Sequence, residues 1–415
     1  MTNLPINAER LWSSLMEMAK IGATEKGGNC RLTLTDLDRQ GRDLFVGWCE
    51  DAGMTVTVDA IGNIFARRGG RDDGLPPVMI GSHLDTQPTG GRFDGVLGVL
   101  AALEAVRTLN DHGVETAAPI EVCCWTNEEG SRYAPAMMGS GVFAGVFELD
   151  EIRAKTDDIG AVLGDELARI GYAGETPIGG REIGAYFELH IEQGPILEAE
   201  EKTIGVVTAA QGQRWLEITV TGQESHAGPT PMTRRRDALV GAAAIVTEVN
   251  RIGLAHSPEA CATVGSMLVS PNSRNVIPGQ VFMTIDFRHP DDDTLAEMDR
   301  QLKAFCGELG DANGLEIEIV DLWYSPPTPF DRDCIEAVRE GARAGGYAHR
   351  EIISGAGHDA VYLAGVAPAG MIFIPCEDGI SHNEIENATQ EDCAAGCQVL
   401  LHAALMRAEQ PDSAG

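Results

Sequence analysis

Five residues far apart in the chain are of the types that hold divalent cations: His83, Asp94, Glu129, His190 and His382. Neutral imidazole and carboxylate suit Zn²⁺ and its neighbours. With one carboxylate shared, this set can hold two ions ~3.5–4 Å apart, which bind a hydroxide and polarise a carbonyl oxygen. Glu128 adjoins a donor yet is free of the metal, the position of a general base that later protonates a leaving nitrogen. Asp85, two residues after His83, suits a supporting role that fixes the imidazole or the bound water. Singly, each has a bland alternative: a histidine in a turn, or two glutamates on a solvated loop.

The elements that must position these residues tip the balance. Apolar runs at 78–80, 120–125, 185–189 and 369–374 read as buried strands, and each hands a His, Asp or Glu to the loop beyond. In an α/β pattern four such ends converge on one edge of a sheet, where these folds place their sites. Residues 1–70 read as helix, loop, helix, strand, with Arg67 to Gly74 an exposed loop, and 96–109 reads as a helix. Between the third and fourth strands the pattern changes to strand 215–220, helix 238–249, strands 262–269 and 280–288, helix 295–309 and strand 315–320. That is the β-α-β-β-α-β order of a ferredoxin-like module, bounded by Gly212 and by Ser325-Pro326-Pro327-Thr328-Pro329. The expected organisation is a catalytic domain in two parts, 1–211 and 327–415, around an insert at 212–326.

A chain of 415 residues exceeds one compact core and suggests two domains or three. With 43% hydrophobic and 23% charged residues it reads as a soluble globular protein. A net charge of -32 argues against nucleic acid or an anionic membrane as partner, and an anionic substrate would need a local positive patch. No secretory signal opens the sequence, and no run approaches ~18 uninterrupted apolar residues, so no membrane span is expected. Ten cysteines without a CxxC pair, among them Cys123, Cys124, Cys393 and Cys397, read as buried reduced thiols of a cytoplasmic protein. Residues 410–415 read as a frayed tail.

In combination, several motifs resemble the amidohydrolase branch of the M20 di-metal peptidases, which contains N-carbamoyl-L-amino-acid hydrolases, β-ureidopropionases and allantoate amidohydrolases. They are Gly81-Ser82-His83-Leu84-Asp85-Thr86, Gly91-Arg92-Phe93-Asp94-Gly95, Asn127-Glu128-Glu129-Gly130-Ser131-Arg132, His190-Ile191-Glu192-Gln193-Gly194, Ser225-His226-Ala227-Gly228-Pro229, Asn272-Ser273-Arg274-Asn275 and Gly355-Ala356-Gly357-His358-Asp359. The resemblance spans nearly the whole chain. It implies that Asp94 bridges two ions, that His83 and His190 complete one site, and that Glu129 and His382 complete the other. Histidine at 190 matches the ureido-cleaving branch, where peptidases and aminoacylases usually carry a carboxylate. It further implies a homodimer through the insert, with His226 reaching the partner's active site to stabilise an oxyanion. Gln193, Asn275, Arg288, Gly357 and His358 match substrate-binding positions, Arg288 as a bidentate clamp for a carboxylate. The implied fold is an α/β exopeptidase-like catalytic domain, its mixed sheet flanked by helices, with an inserted ferredoxin-like α+β lid and dimerisation domain. The implied activity is hydrolysis of the N-carbamoyl C–N bond of an amino acid, using two Zn²⁺, Mn²⁺, Co²⁺ or Ni²⁺ ions. Allantoate hydrolysis, then a dipeptidase or aminoacylase, then a non-catalytic metal-binding protein stand as alternatives.

Overall fold

The computed structural model describes residues 4–409; the tail expected to fray at 410–415, and the first three residues, lie outside the described residues. Among them, strands in chain order are β1 (Thr55–Val58), β2 (Ile64–Arg68), β3 (Val78–His83), β4 (Ile120–Trp125), β5 (Ala185–Ile191), β6 (Ile204–Ala210), β7 (Gly212–Thr221), β8 (Ser225–His226), β9 (Cys261–Ser270), β10 (Val276–Ile277), β11 (Gln280–His289), β12 (Glu316–Ser325), β13 (Thr328–Pro329), β14 (His349–Ser354) and β15 (Ala369–Ile374). The chain forms two compact units: an insert, Ala209–Thr328, and a larger unit built from the segments on either side.

In the larger unit the sheet runs β1-β2-β4-β3-β5-β15-β6, with β13 and β14 attached to β6. Its centre, β4-β3-β5-β15, is parallel, while β2 and β6 flank it antiparallel. The four central strands are buried along their whole length, which is why they read as unbroken apolar runs. Side chains alternate between two helix-covered layers. Val78, Ile80, Phe187, Leu189, Ile372 and Ile374 join the layer of helices Val96–Asp111 and Gln390–Glu409. Met79, Tyr186, Met371 and Phe373 join the other. The result is a mixed α/β sandwich.

Strand order reverses between β3 and β5, the crevice where open α/β sheets bind ligands. The β3–β5 ladder stops at Ile80–Phe187, although β3 stays paired with β4 as far as His83–Trp125. The first turn of helix Val96–Asp111 enters close to where they part: a Cβ on Gly98 would lie 2.5 Å from the Leu189 carbonyl oxygen.

Three sequence expectations need correction. Arg67 and Arg68 are not loop residues; they end β2, laddered against Glu121 and Ile120 of β4, with Arg67 paired to the Glu121 carboxylate. His83 and His190 lie within β3 and β5, not in the loops beyond. Of the ten free cysteines, Cys30 is half-buried and Cys261 is exposed, the latter because it opens β9, an edge strand with one side open.

The insert is a four-stranded antiparallel sheet, β12-β7-β11-β9, whose helices Ala238–Ala255 and Asp292–Asn313 pack on one face. Leu216, Ile218 and Val220 of β7 and Val281, Met283, Ile285 and Phe287 of β11 supply the sheet side of that core. Asp237 and Asp291 cap the two helices with side-chain oxygens, as the sequence pattern demands. Helix Ala238–Ala255 is long and apolar enough to cross a membrane by composition alone, but Ala242, Ile245, Val249 and Ile252 are core residues of this unit. Arg288 lies near the end of β11, an interior strand of this sheet.

Candidate metal centre

His83 and His190 are locked by backbone carbonyls. His83 Nδ1 lies 2.9 Å from the Asp85 oxygen, and His190 Nδ1 lies 2.9 Å from the Ile191 oxygen. A carbonyl only accepts, so both rings carry hydrogen on Nδ1 and turn Nε2 toward the site. Both Nε2 atoms face Asp94 Oδ1, at 3.7 Å from His83 and 3.0 Å from His190. His190 Nε2 also accepts the Gly95 N–H at 3.2 Å. Two acceptor atoms 3.0 Å apart require a proton or a cation between them.

Gly95 has φ 65, and a Cβ there would fall 2.3 Å from the His83 ring. Gly95→Ala should therefore displace His83 and strain the backbone together. The expected result is a folded protein with reduced metal content, read by mass spectrometry of bound metal, and a loss of activity that excess metal does not fully restore.

Asp94 Oδ2 faces the opposite way, 3.4 Å from His382 Nε2, which is 3.5 Å from Glu129 Oε2. Two three-donor groups result, His83–Asp94–His190 and Asp94–Glu129–His382, each with its atoms within 4.8 Å. Glu128 belongs to neither group, and its Oε2 stands 3.4 Å from His83 Nε2. Asn127, Gln193 and His382, which follow three of the parallel strands, all have positive φ, 56, 57 and 53. Left-handed backbone outside glycine is uncommon and gathers at functional sites.

Asp85 does its work differently from expectation. Its carbonyl orients His83, while its carboxylate accepts the Glu128 and Glu129 N–H groups at 3.2 Å each. The carboxylate itself lies 3.8 Å from the imidazole. Sequence reasoning missed three more residues. Gln87 donates its backbone N–H to Glu129 Oε1 at 3.0 Å and its amide to Oε2 at 2.6 Å. Buried Glu386 accepts the Phe93 and Asp94 N–H groups at 3.1 Å each and joins Ser381 Oγ at 2.9 Å. Gly91 has no Cβ because one would lie 2.0 Å from Glu386 Oε1. Position four after His382 was the one available signal for Glu386; a lone neutral glutamine such as Gln87 gives none.

The electrostatics suit cations. Burial, reinforced by Asp359, pushes the Glu128 carboxyl well above its ordinary range, and burial together with Asp94 does the same to Glu129. Asp85 is pushed up to about 7 by burial and then Asp38. Burial drives His83 down to about 4, leaving it neutral. Burial opposes ionisation of Asp94, but the neighbouring His190, His382 and His83 outweigh it and hold its carboxyl well below the usual range. Crowded carboxylates reluctant to ionise are relieved by divalent charge. Neutral His83 keeps its lone pair, whereas Asp94 outweighs burial to raise His190 to about 9 and also raises His382, so a cation bound there displaces protons.

Among the other candidates, Gln193 donates its amide to Asp94 Oδ2 at 2.9 Å and Ser381 Oγ at 3.2 Å, leaving its buried Oε1 with no partner. His358 is buried, 3.0 Å from Ser354 Oγ, with its ring 4.5 Å from that of His190; it backs the ligand. A Cβ on Gly357 would lie 3.1 Å from Met137 Cε. Glu192 accepts the Ile196 and Leu197 N–H groups and caps that short helix. In the insert, exposed His226 accepts the Gly228 N–H on Nδ1, so its Nε2 carries the hydrogen. Asn275 sits beside it, accepting the Ala227 N–H on its carbonyl. Arg288 pairs with Asp286 at 2.8 Å.

A parallel sheet whose switch point gathers two cation-binding groups around one carboxylate is the architecture of metal-dependent exopeptidase-like hydrolases. The chain belongs to peptidase family M20/M25/M40, whose family model matches residues 79–406. An N-carbamoyl-L-amino-acid amidohydrolase of Rhizobium meliloti is 53% identical over 407 residues, covering 98% of each chain. A crystal structure of an amidase of the hydantoinase/carbamoylase family from Burkholderia multivorans is 64% identical, with a TM-score of 0.95, covering 98% of this chain and 99% of that one. A more distant relative, a ureidoglycolate hydrolase of Arabidopsis thaliana, is 34% identical over 96% of this chain and 86% of its own.

Proposed function

We propose that this protein hydrolyses the ureido C–N bond of N-carbamoyl-L-amino acids, releasing the amino acid, ammonia and CO₂. The observation that carries the reading is the pair of three-donor groups sharing Asp94, with Glu128 beside them and outside both. His83, Asp94, His190, Glu129 and His382 would hold a pair of divalent ions, which when bound would supply Lewis acidity and lower the pKa of water. Glu128 is placed to take a proton from the attacking water and return it to the departing nitrogen, a task suited to a carboxyl whose pKa is raised. The unpartnered Gln193 Oε1 accepts a ureido N–H. Arg288 and Asn275 bind the substrate carboxylate, offsetting the -32 net charge locally. His226, with hydrogen on its exposed Nε2, reaches across the dimer and donates to the oxyanion in the other subunit's active site.

Homodimerisation through the insert belongs to the same proposal. Helix Ala238–Ala255 leaves Val240 and Leu254 exposed, and the adjoining edge strand β9 exposes Leu268. An open edge beside an apolar stripe is a surface that a second copy covers. Val240→Asp should shift sedimentation from dimer to monomer; an unchanged dimer would refute this interface. A cytoplasmic location fits the ten free thiols.

The decisive assay is ammonia release from N-carbamoyl-amino acids, 3-ureidopropionate, allantoate and ureidoglycolate, after chelation and after adding back Mn²⁺, Co²⁺, Ni²⁺ or Zn²⁺. Turnover is expected on N-carbamoyl-L-amino acids, lost on chelation and restored by metal. Release from allantoate or ureidoglycolate alone would reassign the substrate, and release from none would leave a non-catalytic metal-binding protein.

A further inference from the structure

Resting on the binuclear reading above, we infer that Gln87 is a positioning residue that sets the affinity of the Asp94–Glu129–His382 half of the centre without affecting the other half. The two halves are built unequally. In the first, both imidazoles are buried and fixed through Nδ1 by backbone carbonyls. In the second, His382 is 53% exposed, sits on left-handed backbone, and has only Gln193 and carboxylates around its Nε2. No carbonyl fixes its ring among the described residues. Preorganisation of this half therefore falls to Glu129, and Gln87 provides it.

Three contacts do so. The Gln87 backbone N–H reaches Glu129 Oε1 at 3.0 Å, and the side-chain amide reaches Oε2 at 2.6 Å and the Glu129 carbonyl at 3.5 Å. Both carboxylate oxygens are thus held, and a neutral amide leaves the negative charge of Glu129 for a cation. Asp85, two residues earlier, holds the backbone of the same turn, so the 85–87 stretch grips Glu129 by main chain and side chain together. Partners that orient metal-binding side chains typically change metal affinity by ~10–100-fold when removed.

The test is equilibrium binding of Mn²⁺ alone to the chelator-treated full chain, for wild type, Gln87→Leu, Gln87→Asn and Glu129→Ala, with apo-protein thermal unfolding as a fold check. Wild type should bind two Mn²⁺ with unequal dissociation constants. Gln87→Leu should weaken one constant ~10–100-fold and leave the other within about twofold, with unchanged apo unfolding. Gln87→Asn, whose shorter amide reaches less well, should fall between. Both constants unchanged, or both weakened together, would overturn the role of Gln87. If wild type and Glu129→Ala bind the same number of ions, the binuclear reading itself fails, and this inference with it.

Discussion

Glu128→Gln should lower kcat on the order of 10²–10⁴-fold, the contribution of a positioned general base, while KM and metal content stay near wild type. The side chain lies outside both three-donor groups, so its loss should leave the ions in place and remove only the proton acceptor. Near-normal kcat in this variant would end the proposed mechanism. A second signature comes from pH. Glu128 has a raised carboxyl pKa in the folded apo-protein, so the folded state binds more protons than the unfolded state above the ordinary carboxylate range. Stability of the apo-protein must then fall as pH rises through that window. Apo Glu128→Gln should lose less melting temperature between pH 5 and pH 8 than apo wild type, measured by calorimetry after chelation.

Asp94→Ala should remove both cation sites at once, because Asp94 is the single residue in both groups. Mn²⁺ binding is expected to drop from two ions to at most one weakly held ion, and turnover to background. The electrostatic effect runs through the whole centre. Asp94 raises the carboxyl pKa values of Glu129 and Glu386 and holds that of His190 up near 9. Without it, both glutamates ionise more readily and His190 loses its proton at lower pH. Retention of two tightly bound ions by Asp94→Ala would refute the shared-carboxylate reading.

Much of this centre was legible because its parts carry strong local signals. Four apolar runs each followed by His, Asp or Glu read together as central parallel strands, and their shared polarity brings those ends to one edge. The cation-binding side chains were visible by residue type. What holds them was not. Gln87 and Ser381 are neutral polar residues indistinguishable from ordinary turn residues, and the Asp85 carboxylate bonds two amides whose proximity only the folded turn creates. Arg67 and Arg68 read as loop because charge dominates their pattern, yet β4 gives them a ladder partner.

The position of β15 between β5 and β6 bears on how the chain matures on the ribosome. Both neighbours are translated before the insert, whereas β15 emerges more than a hundred residues later. Throughout that interval β5 and β6 each keep an open hydrogen-bonding edge, the kind of surface that invites pairing with another nascent chain. The insert, whose core is its own, can fold during the wait. His382 follows β15, so a truncated or stalled product cannot complete the second cation site. Hydrolytic competence is thus deferred until β15 and the loop carrying His382 have been made, and chains released before that point are expected to be aggregation-prone and inactive.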